Sequence, residues 1–156
     1  MMEATEQASL KFRDQEIAPF HTAEHLLNQT MVRMFDCGRA VSAHVEKKKS
    51  KCDYPLSDNL SAEQVSELER RMNEVISRHL PVYCEFLPME EAAKTFDLSK
   101  LPEDASGELR IVRIGDYDAC PCVGAHVENT SELGRFKVLS SSFENGICRI
   151  RWRLEW

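Results

Sequence analysis

Apolar residues recur at helical spacing in two segments of the chain. A repeat of three to four residues places side chains on one face of a helix. The first stripe, within residues 20–35, consists of Leu26, Leu27, Thr30, Met31 and Met34. Pro19 suits the first turn of that helix, because its missing N–H needs no partner there, and Gly38 is expected to end it. The second stripe follows Ser61 and Gln64, which have the spacing of a capping box, and consists of Val65, Leu68, Met72, Val75 and Ile76.

Alternating apolar and polar residues indicate strands in most of the remaining chain. We predict strands at about 39–47, 52–56, 82–87, 108–114, 135–143 and 147–156, a short helix at 89–96, and loops at 98–107 and 115–126. Asn145-Gly146 predicts a tight hairpin between the last two strands. Because helices and strands do not alternate regularly, we expect an α+β fold in which a mainly antiparallel sheet packs with two longer helices and a short one.

The composition describes an ordinary globular protein. With 156 residues, 42% hydrophobic and 29% charged, the chain is expected to form one domain over residues 1–156, with residues 1–17 as a flexible N-terminal extension. No run of about 18 apolar residues is present, and the first residues are acidic and polar. We therefore expect no membrane span and no targeting peptide, and a cytoplasmic protein whose six cysteines are reduced thiols.

The overall charge does not favour nucleic-acid binding. The net charge is −6, whereas polyanion-binding domains are usually basic. Two local groups of basic residues are nevertheless present, and they are Lys47, Lys48, Lys49 and Lys51 in one segment and Arg149, Arg151 and Arg153 on one side of a predicted strand. Without other evidence, both groups are interpreted as solvated surface.

Two pairs of potential metal ligands lie far apart in the sequence. His21 and His25 are four residues apart, so both can reach one ion from the same side of a helix, and Cys122 and His126 have the same spacing. Imidazole nitrogen and thiolate sulfur are atoms that zinc prefers, and four of them complete a tetrahedron. The leading hypothesis is therefore a mononuclear zinc site. Four protein ligands would make the zinc structural, whereas three would leave a position for an activated water, and both possibilities remain open.

The segment from His21 to His25 also fits the H-x-x-E-H motif of inverted zinc peptidases. In that alternative, Glu24 would act as general base and a distant glutamate would complete the metal shell. The short chain and the availability of Cys122 and His126 as ligands argue against it.

Several motifs occur in the same order as in a known family. They are His21-Thr-Ala-Glu-His25-Leu-Leu, Ser42-Ala-His44, Cys120-Pro-Cys122-Val-Gly-Ala-His126 and Thr130-Ser-Glu132-Leu-Gly134. The chain resembles the editing domain, or second additional domain, of alanyl- and threonyl-tRNA synthetases, and in particular the free-standing alanyl-tRNA editing proteins. The resemblance runs from about Ala18 to Leu154, and the combination of H-x-x-x-H with C-x-x-x-H is more specific than either motif alone.

The resemblance implies a zinc-dependent hydrolase that removes a wrong amino acid from tRNA in trans, usually serine or glycine from alanine tRNA. It assigns zinc binding to four residues, which are His21, His25, Cys122 and His126. His44 becomes a candidate for positioning the attacking water or the terminal ribose. Mischarged tRNA is the expected partner, and both basic groups become candidates for contacts with the phosphates of its acceptor end.

Three positions depart from the pattern of the family. Ala125 stands where a threonine is usual, Ser131 where a glycine is usual, and Cys120 where the synthetases carry a carboxylate. The four candidate ligands are unaffected by these changes. The first two departures favour an alternative function, a non-catalytic tRNA-binding or regulatory module that keeps zinc only for folding.

Overall fold

Helices and strands are mixed along the chain without regular alternation. The computed structural model describes residues 2–96 and 107–156, and the side chains of residues 16–96 and 107–156. Within these ranges the elements are α1 (Met2–Phe35), β1 (Ser42–His44), β2 (Ser50–Pro55), α2 (Ala62–Ser77), β3 (Val82–Pro88), α3 (Met89–Thr95), β4 (Glu108–Ile114), β5 (Asp118–Pro121), a short 3₁₀ helix (Thr130–Leu133), β6 (Arg135–Glu144) and β7 (Ile147–Glu155). The predicted α+β fold with two longer helices and a short one is confirmed, and the strands divide into two antiparallel sheets.

Helix α1 begins much earlier than the sequence predicts. The start expected at Pro19 is wrong, because the helix runs from Met2 and contains this proline. Pro19 cannot donate a hydrogen bond to the preceding turn, but its neighbours Ala18 and Phe20 are buried in the core, and their packing offsets the lost bond. The flexibility of residues 1–17 stays a prediction. Neither α1 nor any other helix in the described ranges has the length and apolar character that a membrane span requires.

A residue with positive φ follows each of the two longer helices. Asp36 takes this left-handed conformation after α1, with φ of 53°, so the helix ends before the predicted Gly38. His79 takes it after α2, with φ of 52°. The start of α2 is confirmed as a capping box, because the Ser61 hydroxyl accepts from the Gln64 N–H and the Gln64 side chain accepts from the Ser61 N–H.

Strand β1 covers only Ser42–His44, so the strand predicted over 39–47 is too long. The residues before β1 are bound to other elements instead. The Arg39 side chain pairs with a carboxylate at β5, and the Ala40 N–H donates to the side chain of Asn28 on α1. These contacts hold the segment before β1 against α1 and β5.

The larger sheet has the strand order β1-β2-β7-β6. One of its faces is buried against α1 and α2 in the main core, and the largest side chains there are Tyr54, Phe136, Ile150 and Trp152. Because side chains alternate along a strand, the register places on the opposite face the basic residues Lys51, Arg149, Arg151 and Arg153. The predicted hairpin between β6 and β7 is confirmed, with positive φ at both Asn145 and Gly146.

The smaller sheet has the order β3-β4-β5, so the strand predicted at 108–114 lies at its centre. Strand β5 (Asp118–Pro121) lies inside the segment 115–126 that was expected to be a loop, and this part of the prediction is wrong. Four residues without clear alternation give no strand signal, and pairing with β4 decides their conformation. Of the predicted loop 98–107, all but the last residue lies outside the described residues.

Candidate metal centre

The four predicted ligands lie together, although the two pairs come from distant parts of the chain. His21 and His25 are one turn apart on α1, Cys122 follows β5 directly, and His126 lies in the loop after it. One potential ligand atom of each residue lies within 4.8 Å of those of the other three. The ring centroid of His126 is 4.3 Å from that of His21 and 4.5 Å from that of His25. These four residues are named the His–Cys cluster.

The loop that carries Cys122 is fixed to strand β4. Arg110 Nη1 donates to the carbonyl groups of Cys122 and Gly124, at 3.1 and 2.7 Å, and the Cys122 N–H donates to the Arg110 carbonyl group at 3.1 Å. Gly124 packs directly on the ring of His21, since a Cβ at this position would lie 2.6 Å from its Nδ1. The close approach of loop and helix therefore requires glycine at position 124.

Hydrogen bonds at Nδ1 determine which nitrogen of His21 and of His126 faces the cluster. His21 Nδ1 lies 3.2 Å from the carbonyl oxygen of Ala125, which can only accept, so this nitrogen carries the hydrogen. Thr22 donates its hydroxyl hydrogen to the Ala18 carbonyl group, and its oxygen therefore accepts from His126 Nδ1 at 3.0 Å. In both rings Nε2 keeps a lone pair for a metal ion.

The ring of His25 faces a buried carboxylate. Its Nδ1 lies 3.6 Å from Asp118 Oδ2, just beyond hydrogen-bond distance, and the Asp118 side chain is 0% exposed. Arg39 holds this carboxylate through Nη1 at 2.7 Å and Nη2 at 3.3 Å, and Gln29 Nε2 donates to it at 3.0 Å. A carboxylate behind a histidine fixes the orientation and tautomer of the ring in metal sites. Asp118 is placed to do so for His25.

The protonation states of the cluster suit a bound cation. Burial alone would raise the pKa of the Cys122 thiol, but the neighbouring side chains of His126, His21 and His25, together with the charge of His25, lower it to about 3. Burial lowers the pKa of His126 to about 4, so this ring is neutral at physiological pH. Burial would also lower the pKa of His25, yet Asp118 and Cys122 together raise it to about 9. The thiolate and the carboxylate favour a positive charge between them, and a metal ion can replace the proton on His25.

The donor atoms of the His–Cys cluster match a metal such as zinc. Imidazole nitrogens and a thiolate are its usual ligands, and the buried Nε2 of His126 has no hydrogen-bond partner among the described residues. A nitrogen that faces an ion is expected to lack such a partner. Glu24 Oε2 lies 3.7 Å from His21 Nε2, but within the described ranges no carboxylate is a member of the cluster. The cluster can therefore hold a metal, and it lacks the glutamate ligand of the peptidase alternative.

A cavity of about 580 Å³ adjoins the cluster at His25. Its wall is formed by one side of α1 together with the segment after that helix and part of β5, and the polar residues in it include Glu24, Asn28, Arg39 and Cys120. The cavity provides space for a small polar group next to the candidate metal ligands.

The chain is similar to part of several known proteins. Residues 109–151 match the family described as the threonyl and alanyl tRNA synthetase second additional domain. An alanine–tRNA ligase of Treponema denticola is 30% identical over 151 residues, which are 96% of this chain and 25% of the ligase. The chain is an editing-domain-like protein. Alanine–tRNA ligases of Caldicellulosiruptor saccharolyticus and Petrotoga mobilis are 33% and 35% identical, and each match covers 83% of this chain and 15% of the ligase. The chain thus spans a quarter or less of the length of these relatives.

Other predicted residues of the editing-domain-like protein lie outside the cluster. His44 is on β1, where its Nε2 is 2.7 Å from Glu46 Oε1 and both side chains are 60% exposed. Lys47 pairs with Glu16 at 2.9 Å. Lys48 and Lys49 are exposed between β1 and β2. Their predicted roles stay predictions.

The arginines of β7 are partly neutralised by neighbouring carboxylates. Arg149 forms a bidentate pair with Asp53, at 2.8 and 2.9 Å, and Arg153 pairs with Glu155 at 2.6 Å. Arg151 contacts only hydroxyl groups among its described hydrogen-bond partners and lies opposite Lys51. The strongest positive charge on this face is therefore at the centre of the sheet.

The residues that support the cluster were not predicted from any sequence motif. Asp118, Arg39 and Thr22 act through tertiary contacts that no local spacing indicates. A weak signal existed for Thr22, which stands between the two histidines of α1. Cys120 is distinguished from Cys122 only by its surroundings, because burial raises the pKa of the Cys120 thiol to about 11 and keeps it protonated.

Proposed function

We propose that the chain acts as a single editing-type domain, a cytoplasmic zinc-dependent hydrolase that deacylates mischarged tRNA in trans. The proposed substrates are seryl- and glycyl-tRNA for alanine. The observation that carries the proposal is the His–Cys cluster beside a cavity that can receive a small amino acid. The similarity to alanine–tRNA ligases supports alanine tRNA as the nucleic acid.

A hydrolase of this kind would remove amino acids that the synthetase pocket cannot reject. A pocket for alanine cannot strongly reject glycine, which is smaller, or serine, which adds only a hydroxyl group, so a second site that hydrolyses the wrong product supplies the missing discrimination. The ester between amino acid and ribose is already activated. A positioned water and stabilisation of the charge that develops on the carbonyl oxygen are therefore sufficient for its hydrolysis.

The residues of the chain have separate tasks in this proposal. Zinc bound by the His–Cys cluster would supply a positive charge that orients the aminoacyl group or polarises its ester. Asp118 maintains the orientation of His25, and Arg110 holds the loop of Cys122 on strand β4. The cavity at His25 accommodates the amino acid. His44 is proposed to position the water or the terminal ribose.

The basic groups are proposed to contact the phosphates of the acceptor end. They are Lys47, Lys48, Lys49 and Lys51 around β2, and Arg149, Arg151 and Arg153 on β7. Contacts of this kind are electrostatic and weaken as the salt concentration rises.

Hydrolysis of three substrates tests the proposal. Seryl-, glycyl- and correctly charged alanyl-tRNA for alanine are incubated with the zinc-loaded protein, and we expect the first two to be deacylated much faster than the third. Cys122→Ala should reduce the rate by about 100-fold or more, because loss of a ligand exceeds the effect of losing a supporting residue. Cys84→Ala is the matched control, since Cys84 is an exposed thiol on β3. If wild type and Cys122→Ala hydrolyse all three substrates equally slowly, the proposed activity is wrong.

One observation favours a second candidate, the non-catalytic zinc-containing module. Four protein ligands complete a tetrahedral shell and leave no position for water. Ala125 lacks a hydroxyl group and contributes only its carbonyl oxygen, which holds His21. This module would bind zinc and tRNA without hydrolysing any of the three esters, so the same assay combined with a tRNA-binding measurement separates the two candidates.

A further inference from the structure

Four arginines meet at the end of α1 that lies beyond the His–Cys cluster. Arg33 comes from α1, and the others come from α2 and the residue that caps it. They surround a cavity of about 420 Å³ whose lining is Arg33, Arg70, Arg71, Glu74, Arg78 and Tyr117. We name it the arginine pocket. Four guanidinium groups with one carboxylate in the lining are a surplus of positive charge on a chain whose net charge is −6.

The carboxylates near the arginine pocket do not cancel its charge. Glu74 pairs with Arg78 at 2.7 Å, and Glu67, which lies outside the lining, accepts from both Arg70 and Arg71. These pairs are exposed, so they are weak and can exchange for an incoming anion. Asp116 acts on Arg78 from a greater distance.

Arg33 is the member of the pocket whose described hydrogen-bond partners are all neutral. It donates to the Tyr117 carbonyl group at 2.9 Å and to Gln29 Oε1 at 3.3 Å. Its guanidinium carbon also lies 4.1 Å from the centre of the Tyr117 ring. These contacts hold the group in one place without neutralising it, which suits a planar fork that binds phosphate.

The arginine pocket has a fixed position relative to the cluster. His25, Gln29 and Arg33 follow one another at intervals of four residues on α1, which places Arg33 about 12 Å beyond His25 along the helix. The neighbouring segment is attached at the same two points, because Gln29 donates to Asp118 and Arg33 donates to the carbonyl group of Tyr117. A strand of RNA with its aminoacylated end at the cluster can cover this distance with a few nucleotides.

We propose that the arginine pocket binds backbone phosphates of the RNA strand whose aminoacylated 3′ end lies at the His–Cys cluster. The proposal rests on the proposed deacylase function and adds to it a second anchor for the substrate, formed by α1 and α2 and separate from the basic face of the larger sheet. Guanidinium groups that follow the backbone bind RNA regardless of base sequence. The pocket thus contributes affinity and position, and the cluster acts on the ester.

The test compares a substrate with phosphates to one without. Arg33→Gln/Arg71→Gln removes two positive charges from the lining of the pocket. With mischarged tRNA as substrate, we expect the KM of this variant to be about tenfold higher than that of wild type, with little change in kcat. With seryl-adenosine, which has no phosphate, we expect the variant to have wild-type KM and kcat. The control Arg113→Gln/Lys94→Gln removes the same charge elsewhere, and it should hydrolyse both substrates like wild type.

Binding of an acceptor-stem RNA hairpin that ends in CCA and carries no amino acid provides a readout independent of hydrolysis. Fluorescence anisotropy at several salt concentrations should give a weaker salt dependence for Arg33→Gln/Arg71→Gln, with the slope of log K against log salt reduced by about 0.7 for each phosphate that the variant no longer binds. The proposal is overturned if this variant binds like wild type while Arg149→Gln/Arg151→Gln loses affinity, because the phosphates then lie on the sheet. An equal loss of affinity in the Arg113→Gln/Lys94→Gln control also overturns it. If wild type hydrolyses neither substrate but the hairpin result is as expected, the deacylase function fails and the pocket stands.

Discussion

Replacing Asp118 with asparagine tests the physical basis of the metal centre. The carboxylate accepts from Gln29 Nε2 and from both Nη atoms of Arg39, and its Oδ2 also faces His25 Nδ1. All of these partners are donors. An amide offers one oxygen and one NH₂ group, so in Asp118→Asn a donor must face a donor on one side.

The conflict is expected to be resolved at His25. Arg39 Nη1 and Gln29 Nε2 both donate to Oδ1, so the amide oxygen stays at that position. The NH₂ group then replaces Oδ2, which faces His25 and the more distant Nη2 of Arg39. The ring can then satisfy the amide only by accepting at Nδ1, which moves its hydrogen to Nε2 and blocks the metal-binding nitrogen. Loss of a supporting partner weakens metal binding by about 10- to 100-fold, which is about 1.4 to 2.8 kcal/mol.

Zinc affinity is measured by competition with a chelator of known affinity, and the tautomer of His25 is followed by ¹⁵N NMR. Asp53→Asn is the matched control, because Asp53 is also a mostly buried carboxylate in a bidentate pair with an arginine, Arg149, on the larger sheet. We expect its zinc affinity to equal that of wild type. The proposed role of Asp118 is wrong if Asp118→Asn keeps wild-type zinc affinity, or if Asp53→Asn loses as much affinity as Asp118→Asn.

Three further results are expected. At pH 8, zinc binding should release about one proton from the His25–Cys122 pair, because the thiol, with its pKa of about 3, is already ionised while His25, with its pKa of about 9, is still protonated. Calorimetry in two buffers of different ionisation enthalpy should show that this proton release disappears above pH 9, and release of more than one proton at pH 8 would contradict the prediction. Gly124→Ala should weaken zinc binding at least about tenfold by displacing the neighbouring histidine ring, whereas Gly38→Ala, which has open space, should not. Ser61→Ala should lower the free energy of unfolding by about 1 kcal/mol in urea titrations, and an unchanged midpoint would argue against the cap.

The sequence was most informative where a pattern is local. The stripe of α2, its Ser61 cap and the Asn145-Gly146 hairpin are each determined by residues close together in the chain, and the structure confirms them. The candidate metal ligands were predicted for the same reason, since each pair carries its own four-residue spacing. The meeting of the two pairs was inferred from their chemistry, and the fold brings them together.

Features that depend on distant segments could not be predicted in this way. Gln29 and Asp118 are 89 residues apart, and Arg33 and Tyr117 are 84 apart. No periodicity in one segment indicates which residue of the other it will meet. Strand β5 and the early start of α1 were missed for a related reason, because pairing with β4 and packing around Pro19 override weak local signals.

His21 and Cys122, one from each candidate ligand pair, are 101 residues apart in the chain. An ion bound to both would act as a removable cross-link that closes most of the chain into a loop, much as a disulfide does in oxidising surroundings. Loss of the metal would then weaken the attachment of the first helix to the smaller sheet. The stability of the folded protein would therefore depend on the supply of the metal as well as on the sequence.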